Sequence, residues 1–413
     1  MRELLAGLAL VVCGTAGAFA QAPGRTYSLG DLLGMARSDN LALAAARAQS
    51  LAVRAGVTTA SAYPNPELEW SGLSLRARAA GATGGSGQSL TLTQRIESPS
   101  LRGARIGAAT ASAQAAGIGV WVVENELVAT IKTRYFETLK RQEELAAAQE
   151  ELALTEQIRD RVRVRTRTGE GPRFDLVRAD AEVAMAAKQV DRARALLAES
   201  RAELVQAVGV ALAPDFVLED AFYRRLPQAD EAALRDAVLA ANPEIKRLLA
   251  ERERAERQIE VERALVLPGV GVRLGHDIEP ETRATRAGVV LSVPLWDRRR
   301  GPVDEARAQA IRTRTELDLR RFDLAQGFEA ALQRYRAART SVSALEGGIL
   351  EQARAVVDIA EAAYRFGERG ILDYLDARRQ LRAVRAELIA ARFELHAAKA
   401  ELERLAATDI KGD

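Results

Sequence analysis

Two spacings of apolar residues divide this chain. Over most of it they recur every three or four residues, which is the spacing of one helix face; over two short regions they recur every second residue, which is the spacing of a half-buried strand. Val183, Ala186, Val190, Ala193, Leu197, Ser200 and Leu204 are spaced 3, 4, 3, 4, 3, 4. Val384, Leu388, Ala391, Leu395, Ala398, Leu402 and Leu405 are spaced 4, 3, 4, 3, 4, 3. Both runs predict coiled-coil seams, the first with small residues at half its positions. The alternating regions differ in kind. Leu68 and Trp70 alternate with Glu67, Glu69 and Ser71, and the phase shifts after Gly72 to Leu73 and Leu75, which predicts a strand with a bulge. Leu90, Leu92, Gln94 and Ile96 alternate with Thr91, Thr93, Arg95 and Glu97. The Gly-rich run Ala79–Gln88 between them predicts a hairpin tip. Val270, Val272 and Leu274, then Val289, Leu291, Val293 and Leu295, predict a second hairpin.

Proline and glycine set the limits of the helices. Ser28 and Asp31 predict a helix start, and the helix runs to about Ala62 before Pro64 and Pro66. No proline lies between Pro99 and Pro172, so Leu101–Thr168 predicts a helix about 100 Å long at 1.5 Å per residue. A turn follows, then a helix over Phe174–Val210. Helix Asp230–Leu265 and a second proline-free span from Val303 onward repeat the plan, the latter broken only by a turn at Gly367 and Gly370. The two turns match residue by residue. Arg167, Gly169, Glu170, Asp175 and Ala179 recur 198 residues later as Arg365, Gly367, Glu368, Asp373 and Ala377. The chain therefore reads as a duplicated helical hairpin, and glycine marks both turns because it takes positive φ without cost.

These boundaries give a signal peptide over 1–20 and a first repeat over 21–213, with strands at about 66–97 and a long hairpin at about 101–210. A connecting segment covers 214–229. The second repeat covers 230–413, with strands at about 268–296 and a hairpin at about 303–407. The signal reading rests on Arg2, the apolar run Leu4–Val12 and the small-x-small site Ala18-Phe19-Ala20, giving a mature start at Gln21. Cys13 as an acylated first residue is the alternative, but Val12 before it is large for that cleavage.

Composition excludes several chemistries. Removing the signal removes the only cysteine, so no thiol or disulfide chemistry remains. His276 and His396 are the two histidines, far apart and without metal-ligand spacing, so each is expected to be a surface or packing residue. Charged residues are 28% of the chain against a net charge of +2, so the signs are interleaved and no basic nucleic-acid surface is expected. No nucleophile elbow, phosphate loop or paired-histidine motif occurs, so the chain is not expected to be an enzyme or to hold a cofactor or metal.

An exported chain can enter a membrane as strands only if the strands close, because an open edge in lipid leaves backbone groups unpaired. Four strands fall short of the smallest known barrels, about eight strands. A membrane role therefore demands an oligomer. At this point the residues reach a family. The duplication, the helix–hairpin–helix order and the turns RTGEGPRFDLVRA and RFGERGILDYLDARR resemble the TolC-like outer-membrane efflux factors over essentially the whole mature length. Asn65-Pro-Glu-Leu68, Ser292-Val-Pro-Leu-Trp296 and Arg298-Arg-Arg-Gly301 look most like the heavy-metal, CzcC-like branch.

The resemblance implies a mainly α fold with a small β part. It implies a homotrimer, in which duplicated hairpins form a periplasmic α-barrel and each chain gives four strands to a twelve-stranded outer-membrane β-barrel. It implies that the tips, Gly169, Glu170, Gly171 and Pro172 with Gly367, Glu368 and Gly370, dock a periplasmic adaptor serving an inner-membrane pump of the resistance-nodulation-division type. It also implies an aperture at the tips, carried onto Asp175, Tyr364, Arg369, Asp373 and Asp376. There Tyr364 and Arg369 would hold Asp175 across hairpins, and Asp373 with Asp376 would favour cations. The hydroxyl residue frequent before the first-repeat Asp is here Phe174, which alters that latch. The plain alternative is solvated charge at a helix start. The rival functions are a drug-efflux or type I secretion exit duct of the same fold, a periplasmic coiled-coil adaptor, and a scaffold protein. An adaptor would need a lipoyl-like domain, which the sequence does not show, and a scaffold would not need amphipathic strand hairpins.

Overall fold

A computed structural model of the chain describes residues 25–76, 81, 83–169, 171–219, 222–223 and 231–408. The expected signal peptide, Gln21, Cys13, Glu170 and half of the connecting segment lie outside the described residues.

The elements run β1 (Thr26–Tyr27), α1 (Leu29–Asp39), α2 (Leu41–Ser61), β2 (Glu67–Leu75), β3 (Gly85–Ile96), α3 (Pro99–Arg167) and α4 (Arg173–Val208) in the first half. The second half runs β4 (Val217–Leu218), α5 (Glu231–Ala241), α6 (Pro243–Ala264), β5 (Gly269–Ile278), β6 (Arg283–Ser292), α7 (Arg300–Ala344), α8 (Leu350–Arg365) and α9 (Ile371–Ala406). The fold is the expected mainly helical one, with two long hairpins and two β-hairpins. Each half has the same order: short helix, helix, strand pair, long helix, returning helix. The short pair β1–β4 ties the halves together in parallel and had no sequence signal.

Both first helices break where the sequence reading ran them through. Asn40 and Asn242 are buried at the breaks. The Asn40 side-chain oxygen accepts from the Ala42 and Leu43 backbone N–H groups, capping α2, while its amide nitrogen donates to the Val208 carbonyl at 3.0 Å. Asn242 repeats this, accepting from Glu244 N–H and donating to the Leu405 carbonyl at 2.9 Å. One asparagine therefore satisfies the start of one helix and the end of a returning one, an arrangement that leaves no buried polar atom of the pair unmet. Gly209 next to Asn40 sits at φ 74°, and a Cβ there would lie 2.4 Å from the Asn40 amide nitrogen, so only glycine fits. The second repeat puts Ala407 at the matching place with φ 54°, which costs about 1–2 kcal/mol relative to glycine.

Two helical layers follow from the packing. Near the strands, α2 packs on α3, α3 on α6 and α6 on α7. Toward the tips, α4 packs on α3, α3 on α9 and α9 on α8. The cores echo each other: Ile131, Tyr135, Leu204 and Val208 in the first half, and Leu324, Phe328, Tyr335 and Leu402 in the second. The seams read from sequence are the buried or half-buried faces of α4 and α9.

Two further differences from the sequence reading concern the long helices. The second hairpin is not continuous up to its turn. Between α7 and α8 the residues Leu345–Ile349 form a π-helical turn, and Gly348 leaves helical geometry at φ 165°, ψ −36°. Two adjacent glycines weaken a helix by roughly 1 kcal/mol each, and α3 at the equivalent level has no such break. In addition, α3 contains a window long and apolar enough by composition to cross a membrane, whereas no such helix was expected. The charge-free run Ile106–Val123 accounts for it, and α3 packs between α2 and α6.

Candidate functional site

The four strands form one antiparallel sheet in the order β2-β3-β5-β6. Its register is regular throughout. The pairing from Glu67↔Thr93 to Leu75↔Gly85 is unbroken, so the bulge expected at Gly72 does not form. Gly87 opposite Leu73 leaves room for that side chain, and Leu73 simply falls on the other face.

The register sorts the side chains by chemistry. Leu68, Leu92 and Leu274 make one cross-strand row, and Ile96, Val270 and Leu291 make another. Trp70 beside Leu90, and Val272 beside Val289, complete the same face. These residues are exposed, Trp70 and Leu68 at 68% and even Leu92, on an inner strand, at 39%. The polar side chains on this face are Gln94 opposite Val272, His276 with Thr285, which bond to each other at 3.1 Å, and, toward the hairpin ends, Gln88, Arg283 and Ser74 opposite Ser86. The opposite face carries Glu67, Glu69, Thr91, Thr93, Arg95, Arg273, Asp277 and Arg286. There Arg95 pairs Glu67 at 3.2 Å, Arg286 pairs Asp277 at 2.7 Å, and Ser89 donates to Asp277 at 2.6 Å. A sheet apolar toward one solvent and ionic toward the other fits a wall between lipid and water. Its strands have 9, 12, 10 and 10 residues, against the roughly 9–11 that span a bilayer when tilted. Strands β2 and β6 are free edges.

The two hairpin tips lie at the far end of the long helices. Gly367 has φ 75°, its N–H bonds to the Tyr364 carbonyl, and the Glu368 N–H bonds to the Ala363 carbonyl at 2.9 Å. This is a Schellman turn with glycine at the left-handed position. Gly169 has φ 80° and bonds back to Thr166 in the same way. Gly171 and Gly370 do not have positive φ; Gly370 is the extended N-cap of α9, and Pro172 the extended N-cap of α4. Glu368 is exposed, and Glu170 lies outside the described residues.

The expected aperture residues are only partly brought together. Arg369 pairs with Asp373 at 3.5 Å, one helical turn away, and not with Asp175. Asp376 pairs with Arg379 at 2.9 Å, and Arg379 also bonds Glu182 on α4, linking the two hairpins. Tyr364 stacks on Tyr374, centroids 6.2 Å apart, with the Arg165 guanidinium 5.2 Å from its ring. Asp175 on α4 is half-buried, and its backbone N–H bonds the Pro172 carbonyl. Local pairing wins within one chain because an i,i+4 partner needs no closure of a second helix. Arg379, Glu182, Arg165 and Tyr374 had no signal in the turn motif. Exposed aromatic side chains, Phe366 and Phe174, cap the two tips.

The histidines take no part in a site. His276 is on the sheet, and His396 is buried on α9, stacked on Phe136 at 3.8 Å between centroids. Burial holds its pKa down at about 4, so the ring is neutral and acts in packing. No group of three metal-ligating side chains occurs among the described residues.

Known proteins share this architecture. The cobalt-zinc-cadmium resistance protein CzcC of Cupriavidus metallidurans is 26% identical over 351 residues, covering 84% of this chain and 82% of that protein. The outer membrane efflux protein BepC of Brucella suis is 28% identical over 248 residues, covering 57% of this chain and 53% of that protein. Among solved structures, the outer-membrane channel OprN superposes with a TM-score of 0.79 at 19% identity, covering 92% of this chain and 89% of that one. CusC, solved in a study of folding and transmembrane channel formation, gives 0.78 at 18%, covering 92% and 91%. The outer membrane efflux protein family model matches residues 32–210 and again 234–408, once for each half of the duplication. With its double hairpins, its two-faced sheet and this twofold match, the chain belongs to the outer membrane efflux protein family.

Proposed function

We propose that this protein is the exit duct of a tripartite efflux system. It works as a homotrimer that receives heavy-metal cations from an inner-membrane pump of the resistance-nodulation-division type through a periplasmic adaptor. One observation carries the trimer. At all three levels the chain is an open layer with a first-half edge and a second-half edge: β2 and β6, α2 and α7, α4 and α8. Exposed apolar side chains sit on those helix edges, among them Leu51 on α2, Phe322 on α7, Met185 on α4 and Ile359 on α8. Joining each second-half edge to the next chain's first-half edge closes every layer at once, and three chains give twelve strands.

The same closure brings α8 and its turn to the α4 of the next chain. Tyr364 and Arg369 then reach Asp175 between chains, which is where the aperture latch forms. Asp373 and Asp376 are exposed at the start of α9 and gather near the threefold axis, where a ring of carboxylates draws cations. Metal cargo is supported by the identity to CzcC over most of both chains.

Planar-bilayer recording tests the duct and its aperture together. The purified wild type should conduct with preference for cations. Changing Tyr364→Phe with Arg369→Ser should raise single-channel conductance about two- to tenfold, since exposed ion pairs are worth only about 0–1 kcal/mol each and three copies act on one opening. Asp373→Asn with Asp376→Asn should reduce the cation preference. A latch variant that conducts like wild type would leave these residues as solvated charge at a helix start.

A further inference from the structure

The helix-side rim of the sheet carries a second feature that the duct does not use. Trp296 follows β6 after four residues and is 94% exposed, the most exposed large apolar side chain among the described residues. Leu295 beside it and Tyr63, just before β2, are also exposed. Directly after Trp296 come Arg298, Arg299 and Arg300. Arg299 is spent internally: its guanidinium pairs Glu262 at 2.5 Å, and its backbone is held in the left-handed region at φ 53° with its N–H on Asp297. Arg298 and Arg300 are exposed, and among the described residues neither has a carboxylate partner. On the β2 side of the same rim, Arg102 lies 4.6 Å over the Tyr63 ring.

We infer that Trp296, Arg298 and Arg300 form a docking surface for the headgroups of anionic phospholipids in the periplasmic leaflet. The inference rests on the outer-membrane sheet. The apolar face ends at this rim, so whatever wets the rim is the headgroup layer. Indole rings favour that layer because one part of them is apolar and the N–H is polar. Guanidinium groups without protein carboxylates meet phosphodiester oxygens there, and their planar fork fits two of them at once. Anionic headgroups attract juxtamembrane arginines in a salt-dependent way. The neighbouring arginines show the contrast, since Arg105 is paired with Glu97 and Arg299 with Glu262. Arg298 and Arg300 are thus exposed and, among the described residues, free of protein carboxylates at the rim, where lipid phosphate is available.

The full-length protein in nanodiscs tests this. The thermal midpoint of the inserted oligomer is read in phosphatidylcholine alone and in phosphatidylcholine with phosphatidylglycerol. Wild type should gain an upward shift from phosphatidylglycerol, reduced at high salt. Arg298→Gln with Arg300→Gln should lose that shift while matching wild type in phosphatidylcholine, and should keep wild-type conductance. An oligomer with no lipid-dependent shift, or a double variant that keeps it, overturns the headgroup surface alone. A double variant that falls apart equally in both lipids assigns the arginines to contacts between chains and also overturns it. Absence of any inserted oligomer of the wild type would overturn the membrane sheet as well.

Discussion

Replacing Leu92 by arginine is expected to remove the protein from the outer membrane, while replacing its chain neighbour Thr91 by arginine is not. The two positions are adjacent on β3 but on opposite faces of the sheet. Leu92 lies between Leu68 and Leu274, in the middle of the apolar rows. An arginine there faces lipid near mid-depth, at a cost of about 2–4 kcal/mol per chain, and assembly multiplies it by the number of chains. Thr91 lies between Glu69 and Gly275. An arginine there has a carboxylate opposite it, water in front of it and no side chain to displace on Gly275. Membrane fractionation with heat-modifiable migration on gels reads both variants. Equal recovery of the two would mean that the apolar face does not meet lipid.

Gly367→Val is expected to abolish export while leaving the assembled protein in place. Gly367 holds φ 75°, and nothing lies within 4 Å of a Cβ built on it. The obstacle is therefore the backbone and not crowding. A β-branched residue resists the left-handed region, so the Schellman turn reshapes and displaces Glu368 and Arg369. The tip is distant from the cores around Tyr135 and Tyr335, which are expected to hold the fold. In a strain lacking the chromosomal copy, wild type should restore tolerance to zinc, cobalt or cadmium and the variant should not. Restored tolerance with Gly367→Val would take the tip out of adaptor docking. A deletion strain with unchanged metal tolerance and new drug sensitivity would place the protein in a drug-exporting branch.

Much of this was legible in the sequence because the elements are long and the chain says everything twice. Period-2 alternation at Leu90–Ile96 and Val289–Leu291 gave the sheet faces directly, since a strand exposes alternate residues whatever it packs against. Gly169 and Gly367 marked the turns because the left-handed residue at a helix end is nearly always glycine. The break at Asn40 was hidden because asparagine is tolerated inside helices, and only its burial against Val208 reveals it as a cap. In the second half Pro243 after Asn242 was the clue to the same break. Gly72 misled in the opposite way: glycine in a strand frequently marks a bulge, but here Gly87 across the ladder absorbs Leu73 without one. The pairing of Arg369 was not legible at all. Both Asp373 and Asp175 are chemically suitable, and distance in the fold, not residue type, decides between a partner in the same chain and one in the next.

As an outer-membrane efflux protein this chain does no covalent chemistry, so its function depends on how its open edges are closed. The mass of the detergent-extracted particle tests that most directly, by native mass spectrometry or light scattering corrected for detergent. Three chains per particle, with circular dichroism showing the strands intact, is the result the three open layers predict. A stable monomer that keeps its strands and remains soluble in the detergent would contradict it, because β2 and β6 would then be free edges in an apolar medium.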